Sequence, residues 1–322
     1  VNTSALHRLG HISLTLYDPF LFGSNYALES TIFGRYDRAS KEEDEYEFGG
    51  QVALSKTFFK RLRTRAQFTA SGIQSGDFTA DVGEDGALPF TPLRPKLELQ
   101  FKTTLDFLDN AANPTRGFSI GSDFSYINIQ QVEGTQQTSD EVFGNFLKWE
   151  AVLKVFLNFR RKLILAFFVR YADSLSLDES SLPEVERYRL GGIWGMRGFE
   201  DDTIGPMDEN GDPVFRTLAG GDTLVSSTAE LRFPILARLN LWGSVFFDVG
   251  ALDESLNNLH ARSFRTSAGI GIRYLVFGQV PIRLDVGFNL DRRCTEAPDL
   301  STGQCKELEP LTVPQFGLLY TF

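Results

Sequence analysis

The sequence has no long apolar run and few of the residues that most often carry catalysis or bind metals. Its 322 residues include two cysteines, two methionines and three histidines. No apolar stretch approaches the roughly 18 to 20 residues that a transmembrane helix requires, so helical membrane spans are excluded. A membrane β-barrel is not excluded, because each of its strands gives a much weaker signal.

Other absences limit the function. No nucleophile elbow, HExxH motif, phosphate-binding loop or paired-carboxylate spacing occurs, so we predict no catalytic residues, no cofactor and no enzyme activity. The three histidines do not cluster with the cysteines, which argues against a metal site. The net charge of −10 argues against nucleic acid as a partner, since such a partner requires a basic face.

The two cysteines, Cys294 and Cys305, lie 11 positions apart in a polar segment. We interpret them as a small disulfide within a loop. Such a bond indicates an oxidising compartment.

Alternating residues dominate what is present. In Leu97–Phe107 the odd positions are mostly apolar and the even positions mostly charged or polar, and Ile282–Asp291 repeats the scheme with Arg283 and Asp285 on its polar side. A period of two predicts strands with one apolar and one polar face. Strands of a soluble sandwich also alternate, but they usually have about 5–6 residues. Runs of ten or more with aromatic residues near their ends favour tilted membrane strands.

We therefore predict an all-β fold, a transmembrane antiparallel β-barrel with about 13 strands in this chain. Short turns alternate with long polar loops, as in outer-membrane barrels with short periplasmic turns. The strands are predicted near residues 11–17, 25–37, 45–57, 61–73, 96–108, 117–129, 145–158, 162–173, 223–234, 239–250, 264–276, 281–290 and 315–322.

The strand count indicates a piece of a larger barrel. If the long loops lie outside, the chain ends in the periplasm and its first strand descends, so an odd number of strands is missing upstream. Bacterial single-chain barrels have even strand numbers, and 13 is odd. The N-terminus lacks a signal-peptide pattern, so either a leader was removed or the chain starts inside a longer protein.

One glycine-rich segment indicates a family. Arg189–Pro206 contains Met196-Arg-Gly-Phe199 and Thr203-Ile-Gly-Pro206, which resemble the sixth-loop (V/I)RG(F/Y) motif of the BamA/TamA superfamily of outer-membrane assembly and translocation barrels. Further segments match in the same order, namely Asn113–Gly117, Ala229–Pro234, Val245–Gly250, Ser267–Arg273 and the aromatic ending Phe316–Phe322. Thr203–Pro206 and the Thr-Phe ending are closer to BamA than to TamA.

The resemblance implies an architecture. Residues 1–322 would be the C-terminal barrel domain and would hold strands 4 to 16 of a 16-stranded barrel. The first three strands and the periplasmic POTRA repeats would be absent from it.

The resemblance also implies a site. The sixth loop would fold into the lumen, with Arg197, Gly198, Phe199, Gly205 and Pro206 as its functional residues. The partners of Arg197 would be Glu230, Phe246 and Asp248, which are expected on the lumen faces of their strands together with Arg232, Asn240 and Ser244. A guanidinium in a confined lumen needs a carboxylate of matching geometry. Without the motif, an exposed loop arginine with scattered lumen charges would be the simpler interpretation.

The function implied is that of an insertase, which folds and inserts β-barrel proteins into the outer membrane of a Gram-negative cell. A terminal seam strand with Phe316, Leu318, Tyr320 and Phe322 would pair with the incoming strand, and its C-terminus would lie in the periplasm. Its partners would be unfolded outer-membrane clients, outer-membrane lipid, and accessory lipoproteins and chaperones bound through POTRA repeats. The alternative is TamA-like or two-partner translocation of a passenger; a passive porin is disfavoured because the loop would occupy the lumen.

Overall fold

In a computed structural model of the chain, thirteen strands form one antiparallel sheet, and each strand lies beside its neighbours in sequence. The structure describes residues 9–37, 44–76, 93–111, 113–130, 143–159, 163–178, 180, 182–183, 186–206, 220–276, 280–294 and 308–318. The strands are β1 (Leu9–Asp18), β2 (Tyr26–Asp37), β3 (Asp44–Phe58), β4 (Leu62–Gly76), β5 (Arg94–Asp106), β6 (Gly117–Ile129), β7 (Gly144–Phe159), β8 (Leu163–Ser176), β9 (Thr223–Leu236), β10 (Leu241–Asp253), β11 (Arg265–Val276), β12 (Val280–Asn289) and β13 (Thr312–Leu318).

The predicted all-β fold is confirmed, and each predicted strand is found at its expected place. The last strand differs at its ends: it begins at Thr312 rather than 315 and is described to Leu318. Tyr320 and Phe322 lie outside the described residues. No helix within the described ranges has the length and hydropathy needed to cross a membrane.

The two faces of the sheet have opposite polarity. On β10, Phe246 and Asp248 are buried while Val245 and Phe247 are exposed by 49% and 45%. On β11, Ser267 is fully buried while Ile270 is exposed by 59%. We call the side with buried, mostly polar groups the covered face and the other the apolar face. A soluble sandwich would bury its apolar face, so this arrangement favours strands whose apolar face meets lipid.

One compact unit of the chain is built on β1 to β4, with parts of β5, β6 and β7 and the segment after β8. Its apolar cluster contains Ile73, Ile127, Ile129, Phe146 and Leu182. On the covered face Arg65 of β4 forms a two-pronged ion pair with Glu29 of β2, at 2.8 and 2.9 Å. This pair links strands two apart in the sheet.

The second compact unit contains β9 to β13, parts of β5 to β8, and the connection after β8 from Tyr188 onward. Strand register brings Glu230 of β9 opposite Phe246 of β10, and Ser244 opposite Arg232. On β11 and β12, Gly271 is opposite Asp285. Polar residues of four adjacent strands therefore converge on one part of the covered face.

Two short turns of this unit lie before β6 and before β10. In the predicted turn before Gly117, the Asp109 carboxylate accepts hydrogen bonds from the Thr115 hydroxyl at 2.6 Å and from the backbone N–H groups of Thr115 and Arg116. Burial acts to raise the pKa of Asp109, but these hydrogen bonds outweigh it and lower that pKa. Asn240 is an error of the sequence prediction: it is exposed in the turn before β10, where a positive φ of 53° reverses the chain, and not on the covered face.

The ends of the sheet are β1 and β13. Within the described ranges, β1 pairs with β2 and β13 pairs with β12, and the two end strands do not pair with each other. A complete small barrel closed between these two strands would require such a pairing.

Candidate functional site

The connection between β8 and β9 carries the glycine-rich motif. We call residues 188–206 the motif loop. An antiparallel bridge between Leu190 and Ile204 closes the loop on itself, and a bridge between Tyr188 and Gly221 joins its start to the chain before β9. Gly191 and Gly192 have φ values of 129° and 74°, a backbone region that side chains disfavour.

The motif loop packs on the second unit through an apolar cluster. Met196 and Phe199 are almost completely buried. The cluster comprises Ala172, Tyr188, Leu190, Met196, Phe199, Ile204, Leu224 and Leu252. The loop is therefore a packed element of the fold, in contrast to the exposed loop that the motif-free interpretation predicts.

Arg197 lies at the centre of this contact and is only 3% exposed. Its Nε and one terminal nitrogen donate to the two oxygens of Asp248 at 2.9 and 2.8 Å, and its backbone N–H donates to the same carboxylate at 3.1 Å. The other terminal nitrogen donates to Glu230 at 2.7 Å. Paired hydrogen bonds of this kind use the planar fork of the guanidinium, which lysine cannot reproduce.

The ring of Phe246 supplies the remaining predicted contact. The centre of the Arg197 guanidinium lies 3.5 Å from the ring centroid, a cation–π arrangement in a desolvated place. The structure thus brings Arg197 together with Glu230, Phe246 and Asp248.

Further charged residues complete the cluster. Asp285 of β12 accepts from Arg197 at 3.4 Å and pairs with Arg283 at 3.1 Å. Glu230 is shared between Arg197, Arg232 and Arg273. Glu230 and Asp285 therefore each offset more than one cation. Burial acts to lower the pKa of Arg197, but attraction to Asp248, and then to Glu230 and Asp285, raises it above its ordinary value. The loop arginine therefore remains charged at every accessible pH.

Backbone contact between glycines fixes the position of the motif. A Cβ added to Gly287 of β12 would lie 2.2 Å from the backbone nitrogen of Gly198. Gly198 itself has a φ of 89°, which favours glycine. The chain of the loop therefore lies directly on the chain of β12, and neither position can accept a side chain without displacement.

Phe199 has its own partners. The guanidinium of Arg265 lies 4.9 Å from its ring centroid, and the Gln315 side chain on β13 donates to its carbonyl at 2.9 Å. Arg265 in turn pairs with Asp291 at 3.1 Å and with Glu309. At the end of the motif Pro206 is buried, whereas a Cβ on Gly205 would meet nothing within 4 Å. Gly205 is thus the one predicted loop residue for which the described contacts give no steric reason.

Two of the predicted seam residues, Phe316 and Leu318, lie in the described part of β13, and both are on the same face. Phe316 and Leu318 are 61% and 51% exposed on the apolar face. Gly317 lies between them and faces the motif loop. A Cβ added to Gly317 would lie 2.9 Å from the Ile193 side chain.

Of the two cysteines of the predicted disulfide, only Cys294 lies in the described part of the chain. Cys294 is disulfide-bonded and forms an antiparallel bridge with Leu308. Cys305, its predicted partner, lies outside the described residues.

Sequence reasoning missed Asp285, Arg265 and Gly287 as members of the site. Asp285 was recognisable as a polar position on β12, but alternation does not show which polar residue lies under the loop. Gly287 carries no signal of its own, because a glycine in a strand has many possible causes.

The sequence of the chain matches a known protein family over most of its length. A family model described as the Omp85 superfamily domain matches residues 4–299. A SAM50-like protein of Schizosaccharomyces pombe is 25% identical over 217 residues, which cover 62% of this chain and 41% of that protein. The chain thus spans about two fifths of that relative's length.

A solved structure shows the same fold. The crystal structure of BamA from Haemophilus ducreyi lacking POTRA domains 1–3 gives a TM-score of 0.67 at 16% identity, covering 96% of this chain and 62% of that chain. CdiB from Acinetobacter baumannii gives 0.43 at 12% identity, with coverage of 88% and 53%. The resemblance predicted from the motif is confirmed, and because the family model covers most of its length, the chain belongs to the Omp85 superfamily, whose members are outer-membrane proteins.

Proposed function

We propose that this chain is the barrel domain of an assembly factor that folds and inserts β-barrel proteins into the outer membrane of a Gram-negative cell. The observation that carries the proposal is the docked motif loop, in which buried Arg197 bridges Asp248, Glu230 and Asp285. Membership of the Omp85 superfamily and the BamA-like fold support it.

The exposed edge of a strand gives a physical means of assembly. A backbone N–H or C=O group without a partner costs several kcal/mol in hydrocarbon, so an unfolded strand entering the membrane gains by pairing with an available edge. We assign this role to the terminal seam strand, β13 and the residues after it. Pro314 cannot donate to a neighbouring strand, which weakens the pairing and allows a finished client to leave.

The remaining parts of the proposal concern the whole protein. The C-terminus would lie in the periplasm, and three further strands and POTRA repeats would precede this domain. Those repeats would bind chaperones and accessory lipoproteins, while the seam would bind the unfolded client.

The test is a folding assay in vesicles that contain the full-length protein. A urea-unfolded eight-stranded barrel is added, and its folded fraction is followed by the heat-dependent gel shift of native barrels. We expect Arg197→Ala to reduce the folding rate by about tenfold or more, because removing one partner leaves buried carboxylates unpaired.

Arg189→Ala is the matched control, since Arg189 belongs to the same loop and meets Asp202 only at 3.7 Å. It should retain nearly all activity. Equal rates for wild type and Arg197→Ala, or transport of an unfolded passenger without folding of barrel clients, would contradict the proposal and favour the translocation alternative.

A further inference from the structure

A second buried ionic cluster lies in the first unit, around Glu186. Its carboxylate accepts hydrogen bonds from Lys96 of β5 and, at 3.1 Å, from Lys148 of β7. Lys148 also donates to the backbone carbonyl of Glu186 at 2.6 Å, and a nitrogen of Arg35 on β2 lies 3.8 Å from the carboxylate. One residue of the β8–β9 connection thus meets cations from three strands.

The covered face at this place needs an additional negative charge. Lys96 is 3% exposed and already lies 3.4 Å from Glu47 and 3.9 Å from Glu98. The cations of the surrounding face are Arg35, Arg94, Lys96 and Lys148, and its carboxylates other than Glu186 are Glu45, Glu47 and Glu98. With Glu186 included, the number of carboxylates at this place equals the number of cations, at four each.

Packing alone does not hold Glu186 in place. It lines a polar cavity of about 380 Å³ whose other walls include Thr15, Thr31, Gln51 and Gln67. On that side the chain could move into open space. In the same segment Leu182 and Pro183 are buried, and Leu182 belongs to the cluster with Ile127 and Phe146.

Electrostatics favour the ionised carboxylate. Burial acts to raise the pKa of Glu186, but attraction to Lys96 and then to Lys148 outweighs it and holds the pKa below its usual range. A buried carboxylate with several cationic hydrogen-bond donors is strongly attached, because removing it would leave those cations uncompensated.

We propose that Glu186 is a second anchor of the β8–β9 connection, opposite in charge to Arg197, and that its carboxylate holds the chain before the motif loop onto β2, β5 and β7. The segment concerned includes Leu182, Pro183, Glu186 and Arg187. This inference concerns how the connection is held, so it does not depend on the client or on the insertase activity.

Trypsin provides the test, because Arg187 and Arg189 directly follow the anchor. The full chain is purified in detergent micelles and digested, and cleavage after each arginine is followed by mass spectrometry. In Glu186→Gln we expect cleavage after Arg187 to accelerate by about tenfold or more, since local opening governs cleavage. Cleavage after Arg189, which lies between the bridged residues Tyr188 and Leu190 of the motif loop, should change less. Glu29→Gln is the matched control, because it makes the same change in a half-buried ion pair on the covered face. That pair joins Glu29 of β2 to Arg65 of β4 and does not involve the β8–β9 connection.

The control should be cleaved at the wild-type rate. Equal rates for wild type and Glu186→Gln overturn the inference, whatever the assembly assay of Arg197→Ala gives. The heat-dependent gel shift verifies that each variant is folded. If Glu186→Gln fails to fold, Lys148→Met is tested in its place. This variant removes one hydrogen-bond donor to Glu186 and keeps most of the apolar part of the side chain. We expect tryptic cleavage after Arg187 to be about threefold faster than in the wild type. An unchanged rate in that variant overturns the inference too.

Discussion

At the scale of single residues, the cluster around Arg197 differs from an ordinary surface ion pair in its burial. Arg197, Asp248 and Glu230 are each at most 3% exposed. Exposed pairs contribute about 0–1 kcal/mol, because water solvates both partners almost as well. Inside the cluster water cannot replace a lost partner, so each substitution leaves a buried charge without its full set of opposite charges and hydrogen bonds.

Asp285 offers a prediction that follows from this difference. Asp285→Asn keeps the shape of the side chain but removes the charge that Arg283 and Arg197 share. We expect a loss of about 3 kcal/mol in the free energy of unfolding, measured by urea titration of the vesicle-embedded protein. Glu150→Gln is the control, because Glu150 pairs with Arg170 at 3.0 Å with both side chains partly exposed. It should cost below about 1 kcal/mol. Similar losses in both variants would show that burial of Asp285 is unimportant.

At the scale of elements, contact between the motif loop and β12 depends on two glycines that face each other. Alanine at Gly287 would place its Cβ 2.2 Å from the Gly198 nitrogen and 2.5 Å from its Cα. These are backbone atoms, so no side-chain rotation relieves the clash and the loop must move as a whole.

Gly287→Ala should therefore loosen the motif loop without removing any charge. We expect a cost of about 1–3 kcal/mol, typical of overpacking in a dense interior, seen as a lower melting temperature. Faster tryptic cleavage after Arg197 should accompany it. Gly205→Ala changes the same loop where an added Cβ meets nothing, and it should behave as wild type. A Gly287→Ala protein that melts and is cleaved like wild type would contradict the docked geometry.

The strands were predictable because their signal is local. Alternation with a period of two is written into each segment, and on β10 it correctly placed Phe246 and Asp248 on one face. The pairing of Arg197 with that face was predictable only through the motif, since no local pattern links residues fifty positions apart. Asn240 was misplaced because a turn residue with positive φ leaves the alternation of its strand.

Glu186 illustrates what the sequence could not show. It stands next to Arg187 in the connection between β8 and β9, outside the strands, so no strand periodicity marks it as buried. Its significance arises only when Lys96 and Lys148, from strands β5 and β7, meet at one place. Charge clusters of this kind depend on long-range register, which a single sequence does not specify.

At the scale of the whole molecule, the polarity of the fold determines how the long connection can be held. The covered face is rich in charged and polar groups, whereas the exposed apolar side chains lie on the other face. A connection placed on such a surface can be held by ion pairs in addition to its apolar contacts. The connection between β8 and β9 carries a cation for this at Arg197 and an anion at Glu186.

This mode of attachment predicts a dependence on pH. The groups facing Glu186 are Arg35, Glu45, Glu47, Arg94, Lys96, Glu98 and Lys148. Its pKa in the folded protein is lower than the value of about 4.3 expected in the unfolded chain. The stabilisation is therefore complete above that unfolded value and is lost progressively as the pH falls towards the folded pKa.

Melting temperatures of wild type and Glu186→Gln, measured from pH 7 down to about pH 3, test this dependence. At neutral pH the wild type should melt at the higher temperature, because only it carries the carboxylate. As the pH falls below about 4, the two curves should converge, since a protonated glutamate and a glutamine both lack the charge. Glu29→Gln, whose carboxylate is paired with Arg65 on strands alone, serves again as the control. A difference between wild type and Glu186→Gln that is the same at every pH would mean that Glu186 acts through its shape, and the ionic attachment of the connection would be wrong.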